Sequence, residues 1–174
     1  MNIYGIVGWK NAGKTTLVER LVHEIAGRGY SVSTLKHTHH AVDLDQPGKD
    51  TYRHREAGAQ QTLLASSTRW ALLSELRGAP EPSLESLIAR FDPVDLVLVE
   101  GFKRDRHPKI EAWRAAVANR PPIAADDASV RALATNDTPP FEVQAPRRVL
   151  SLDAVGEIAD FLLDDLGLAR RRKR

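Results

Sequence analysis

The sequence predicts an α/β fold: a three-layer sandwich around a mostly parallel central sheet, with a hairpin at one edge. Three observations carry that prediction. An apolar run over residues 3–7 passes through a glycine-rich loop into an amphipathic stretch and then a second β-rich run, the strand–loop–helix–strand order of a right-handed parallel crossover. Residues 95–101 hold Leu96-Val97-Leu98-Val99 between Asp95 and Glu100 and end at Gly101, the pattern of a parallel strand buried on both faces. The loop itself reads Gly8-Trp9-Lys10-Asn11-Ala12-Gly13-Lys14-Thr15 and satisfies G-x-x-x-x-G-K-[ST] at every fixed position. The sandwich is therefore expected to be of the P-loop NTPase type.

Each element has its own reason. In residues 14–27, Leu17, Val18, Leu21, Val22 and Ile25 recur on one face of a helix, and Gly27 and Gly29 end it. Residues 30–35 form a second strand that runs into Lys36-His37-Thr38-His39-His40 at its carboxyl end, the edge where open α/β sheets bind ligands. Residues 41–49 read as loop, and 50–59 as a short polar helix capped by Asp50. Residues 61–65 and 69–74 are two short strands around Ser66-Ser67-Thr68, the expected hairpin. A helix over 83–91 starts at Ser83 as N-cap. Strands are expected at 95–101, 109–113, 123–125, 131–135 and 149–152, and a last helix at 153–166 with Val155, Ile158, Ala159, Leu162 and Leu163 facing inward.

At 174 residues the chain suits one domain over 1–168, with a basic, disordered tail at 169–174. The net charge of +2 misleads: removing the five charges of Arg170–Arg174 leaves −3, so the body is not a nucleic-acid surface. No apolar run is long enough to span a membrane, and the first strand leaves no room for a signal peptide. The absence of cysteine excludes disulfides and thiolate metal sites and fits a cytoplasmic location.

The loop needs the residues it has. Gly8 and Gly13 permit turns that aim successive N–H groups at phosphate oxygens, Lys14 adds a mobile cation for the terminal phosphates, and the Thr15 hydroxyl is a ligand for Mg²⁺. The expected nucleotide contacts are Gly8, Asn11, Ala12, Gly13, Lys14, Thr15 and Thr16, the last three opening a helix whose N-terminus favours an anion. Mg²⁺ wants hard oxygen ligands. Glu100, a carboxylate closing a buried strand, and Asp50, at a loop–helix junction, join Thr15 as its candidates. A salt bridge from Glu100 to Lys103 or Lys14, and a plain capping role for Asp50, are the structural alternatives. Lys14, Asp50 and Glu100 are the candidate catalytic groups. His37, Arg53 and Asp137 are further candidate contacts: Arg53 and Arg55 alternate with His54 as forks for a second phosphate, and Asp137 ends a late strand where a base-reading loop would lie. Asp95 belongs to the opposite, amino end of its strand.

Taken together, these segments resemble the molybdopterin-guanine dinucleotide biosynthesis adaptor family, MobB. The resemblance rests on the loop through Leu17, Lys36-His37-Thr38-His39-His40, Pro47-Gly48-Lys49-Asp50-Thr51-Tyr52-Arg53 with Ala57-Gly58-Ala59, Leu98-Val99-Glu100-Gly101-Phe102-Lys103, and Pro108-Lys109-Ile110-Glu111. It covers residues 1–165 and leaves out the tail. It implies a dimer-forming P-loop fold, GTP binding with feeble hydrolysis, and help to a MobA-type guanylyltransferase in joining GMP to molybdopterin, with direct contact to molybdopterin left open. It also implies Mg²⁺ at Thr15, Asp50 and Glu100. One departure is visible: the wider dimeric class often has a lysine right after the first loop glycine, where this chain has Trp9, with Lys10 one place later. Two other readings remain open from residues alone. One is a nickel or zinc metallochaperone GTPase using His37, His39 and His40. The other is a small-molecule kinase holding its acceptor on Arg53, Arg55 and Lys103.

Overall fold

The computed structural model describes residues 1–38, 42–117, 120–139 and 147–168. It divides into two compact units, one of Met1–His37 with Leu87–Arg174, the other of Thr38–Ser86. In chain order the elements are β1 (Asn2–Val7), α1 (Lys14–Gly27), β2 (Val32–Lys36), α2 (Asp50–Glu56), β3 (Gln61–Ala65), β4 (Trp70–Ser74), α3 (Leu84–Ile88), β5 (Leu96–Glu100), β6 (Lys109–Ala112), β7 (Val130–Ala134), β8 (Arg148–Leu150) and α4 (Val155–Asp165).

The first unit is a six-stranded sheet in the order β2-β5-β1-β6-β7-β8. Every neighbouring pair is parallel. Strand alternation sorts its side chains. Tyr4, Ile6, Leu96, Leu98, Ile110 and Ala132 turn to one face, where they meet Leu17, Leu21 and Ile25 of α1 and Ile158, Ala159 and Leu162 of α4. Each fully buried leucine or isoleucine among them contributes about 2 kcal/mol over leaving it in water. On the other side Val7, Trp113, Ala124, Val130 and Leu133 form a smaller cluster. The inward residues expected of both helices are the buried ones, with Val22 only partly covered.

Helix α1 stops as its glycines require. Gly29 takes a φ of 85°, its N–H donates to the Ala26 carbonyl, and Tyr30 N–H reaches back to Ile25. That is a Schellman closure, which a residue with a Cβ would strain.

Three expectations need correction. Residues 123–125 are a 3₁₀ turn, Ile123–Ala125, not a strand. Pro121 and Pro122 precede it, and the Glu111 carboxylate takes the N–H groups of Ile123 and Ala124 that a strand ladder would have used. The β3–β4 hairpin forms with the expected antiparallel register, but as a separate two-stranded sheet and not as an edge of the central one. Asp50 is the first residue of α2, whose N-cap is Lys49, so it favours the helix by its charge near the N-terminus and not as a cap. Ser83 does cap α3, its Oγ accepting from Ser86 N–H at 3.2 Å.

Candidate functional site

The site begins where β1 ends. Gly8 has a φ of 143°, and a Cβ there would stand 2.3 Å from the Ala112 carbonyl oxygen of β6. Only glycine fits between the two strands at this turn. Asn11 and Gly13 follow with φ of 64° and 94°, curling the chain so that α1 opens at Lys14. Leu17 N–H makes a helical bond to Gly13 O, and no side chain caps the helix. The first-turn N–H groups of Lys14, Thr15 and Thr16 therefore remain for an anion.

Side chains converge on the same opening. Lys14 Nζ donates to the Trp9 carbonyl at 2.8 Å. Burial lowers the pKa of this ammonium, and the charges of Lys103 and Lys36 lower it further, with Glu100 opposing them. Thr15 Oγ1 donates to Glu100 Oε1 at 3.0 Å. Glu100, only 8% exposed, closes β5 in register with Lys36 of β2, whose Nζ lies 3.4 Å from the same oxygen. Lys36 thus takes the salt-bridge role that the sequence offered to Lys103 or Lys14. Gly101 turns the chain away at a φ of 106°, its would-be Cβ 2.9 Å from His37 Cβ. His37 N–H donates to Glu100 O at 2.8 Å, and its ring rests against Phe102 with centroids 4.5 Å apart.

Trp9 is pinned beside the loop. Its Nε1–H donates to Pro121 O at 2.9 Å, while Lys103 Nζ and the Arg120 guanidinium stand 4.4 Å and 5.1 Å from its ring. Burial lowers the Lys103 pKa; the Glu111 charge opposes that and Arg120 adds to it. Trp9 and Arg120, with Lys10, Asn11 and Val117, line a concavity of about 360 Å³. Glu111 of β6 is fully buried, and burial raises its pKa against the two N–H groups it accepts from.

The expected contacts divide accordingly. Gly8, Asn11, Ala12, Gly13, Lys14, Thr15, Thr16, Glu100 and His37 come together at the carboxyl edge of the sheet. Asp137 lies at the same edge, where its Oδ2 accepts Ala115 N–H at 2.8 Å and its own N–H donates to Thr135 Oγ1. Asp50 and Arg53 belong to the other unit. There Arg55, expected as a phosphate fork, is engaged by Asp43, Asp45 and Glu75 at 2.8, 3.3 and 2.7 Å. His39, His40 and the basic tail lie outside the described residues. Among the described residues no group of three His, Asp or Glu is placed to hold a metal ion by itself. Asp95 sits, as expected, at the amino end of β5, accepting from Ser31.

Sequence reasoning missed the charges inside β6 and around it. Lys109 is fully buried, paired with Asp127 at 3.1 Å and bonded to Ser129 Oγ and Asp105 O. The signal was present as Lys109-Ile110-Glu111, charged residues alternating within an otherwise apolar strand.

The comparison that decides the family covers the loop and most of this sheet: a model described as "MobB: Molybdopterin guanine dinucleotide synthesis protein B" matches residues 3–136. The chain belongs to the MobB family. Among MobB relatives, it is 40% identical to a molybdopterin-guanine dinucleotide biosynthesis adapter protein of Haemophilus influenzae, over 92% of this chain and 86% of that one. It is 38% identical to the Escherichia coli adapter protein of the same name, over 93% and 91%. In structure it is similar to a MobB homolog from Bacillus stearothermophilus at a TM-score of 0.70 and 26% identity, covering 97% of this chain and all of that one. Bacillus subtilis MobB shares the fold at a TM-score of 0.73 and 24% identity, over 94% and 97%. The P-loop α/β architecture expected from the sequence is the one these MobB structures have.

Proposed function

We propose that this chain is a GTP-binding adapter of molybdopterin-guanine dinucleotide biosynthesis that assists a MobA-type guanylyltransferase in joining GMP to molybdopterin and hydrolyses GTP slowly. The observation that carries the nucleotide site is the loop itself: a glycine wedged against Ala112, two further positive-φ residues, and uncapped N–H groups at the start of α1. Membership of a family whose relatives are named as adapters of this pathway supports the rest.

In this reading the loop N–H groups bind the β and γ phosphates, and Lys14 leaves the Trp9 carbonyl to reach them. The donor set suits Mg²⁺: Thr15 Oγ1 and the nearly buried Glu100 Oε1 are hard oxygens already 3.0 Å apart, with Lys36 balancing the carboxylate. Thr15 and Glu100, joined by Asp50, would hold the ion, which when bound neutralises phosphate charge. Asp137 would offer its second oxygen to guanine, and His37 and Arg53 are proposed as further nucleotide contacts. The chain acts as a homodimer in the cytoplasm.

Calorimetry with GTP and ATP, with and without Mg²⁺, tests this. GTP should bind more tightly than ATP, and more tightly with Mg²⁺. Lys14→Ala should abolish binding with an unchanged circular dichroism spectrum; unchanged affinity in that variant refutes the site.

A further inference from the structure

One cation at the loop has no part in the account above. Arg114 follows β6 by two residues, and its guanidinium lies against Gly13: Nε and Nη2 are each 3.5 Å, and Cζ 3.8 Å, from where a Cβ on that glycine would stand. Its backbone is fixed from several directions. Trp113 N–H donates to Ala134 O at 3.0 Å, Val117 N–H donates to Arg114 O at 3.3 Å, and Ala115 N–H donates to Asp137 Oδ2 at 2.8 Å. Asp137 is itself held through Thr135 Oγ1, and its neighbour Asn136 is tied to Asp153 and Ser151 at 2.8 Å each.

Asp137 gives its Oδ2 to the Ala115 N–H, and among the described residues Arg114 forms no ion pair, so its charge is available to an anion. The guanidinium lies against the last glycine of the phosphate loop, beside the uncapped N–H groups that would cradle an anion. Its planar fork matches two phosphate oxygens at once, which the point charges of Lys14, Lys36 and Lys103 do not.

We infer that Arg114 is a phosphate-binding residue of this loop, and that Asp137 is the positioning residue that aims it. The inference rests on the nucleotide-site reading and adds the side chain that grips the polyphosphate in cis.

The test is GTP calorimetry on the full chain with Arg114→Ala, Arg114→Lys, Asp137→Ala, Asp137→Asn and the double alanine variant. Inorganic tripolyphosphate serves as a competitor, and circular dichroism checks folding. Arg114→Ala should weaken GTP and tripolyphosphate alike by about 10- to 100-fold, the range of a charge-assisted hydrogen bond pair. Arg114→Lys should recover part of that. Read with tripolyphosphate, which has no base for Asp137 to touch, Asp137→Ala should cost less, Asp137→Asn less again because it keeps an acceptor for Ala115 N–H, and the double variant should be no worse than Arg114→Ala. Wild-type affinity in Arg114→Ala beside lost binding in Lys14→Ala removes Arg114 and leaves the loop reading standing. Unchanged binding in Lys14→Ala brings down both. A loss confined to GTP, with tripolyphosphate unaffected, assigns the contact to base or sugar and overturns the inference. Additive losses of tripolyphosphate affinity in the double variant overturn the positioning role of Asp137.

Discussion

The two compact units are built differently. In the unit that carries the loop, Tyr4, Ile6, Leu96, Leu98 and Ile110 are wholly buried, and α1 and α4 cover them. In the hairpin unit, Thr62 is the one buried residue of β3 and β4, while Leu63, Leu64 and Trp70 are 58%, 59% and 63% exposed. What orders that unit is polar: Arg55 joins Asp43, Asp45 and Glu75, and Arg77 donates to the carbonyls of Arg55 and Ala59. A phosphate loop must hold its N–H groups within a fraction of an ångström, and it is mounted on the unit whose strands cannot shift without opening a core. The hairpin unit, cheap to loosen, suits a segment whose order answers to salt or to a partner.

That contrast can be broken most severely at Gly8. Gly8→Ala would drive a Cβ into the Ala112 carbonyl at a φ that alanine rarely adopts, and should cost about 3 kcal/mol or more in denaturant unfolding. If Gly8→Ala unfolds like the wild type, the loop is not wedged against β6.

Asp127→Asn leaves the fully buried Lys109 ammonium without its counter-charge and should cost about 2 kcal/mol by the same measurement.

His107 sharpens the contrast through pH. Both its ring nitrogens are buried without a partner, and burial, followed by the charge of Lys109, depresses its pKa from 6.5 to about 4, with Asp105 and Asp127 opposing. Its folded pKa lies below its unfolded one, so the unfolded chain takes the proton first. The stability it contributes is whole above pH 6.5 and is lost as pH falls from there towards 4. Thermal melts across that window should show a fall in wild type that His107→Gln lessens; parallel curves would contradict the assignment.

The smallest global effect belongs to the hairpin unit. Arg55→Ala should leave the main unfolding transition in place while raising hydrogen exchange and proteolysis within residues 38–86, because exposed ion pairs contribute little to overall stability. A large shift of the main transition would show that the two units unfold as one.

How much of this was legible follows the same line. Where burial is two-sided or helical, residue type alone was enough: Leu96-Val97-Leu98-Val99 and the inner faces of α1 and α4 stand where their periodicity put them. Gly8, Gly13, Lys14 and Thr15 were legible because the loop's chemistry restricts each position. The turn at residues 123–125 was not, since its cause is a carboxylate twelve residues earlier, Glu111, which periodicity cannot see. The hairpin's strands were legible but its sheet was not, because pairing partners across the fold leave no local mark. Arg114 was passed over for a similar reason: it gains meaning only when β6 is laid beside β1 and Gly13 comes against it.

The most direct measurement is a crystal structure grown with GTP and Mg²⁺. The account predicts the triphosphate cupped by residues 8–15, Lys14 released from the Trp9 carbonyl, and the ion on Thr15 and Glu100. A nucleotide bound elsewhere, with that loop empty and Lys14 still on Trp9, would contradict it.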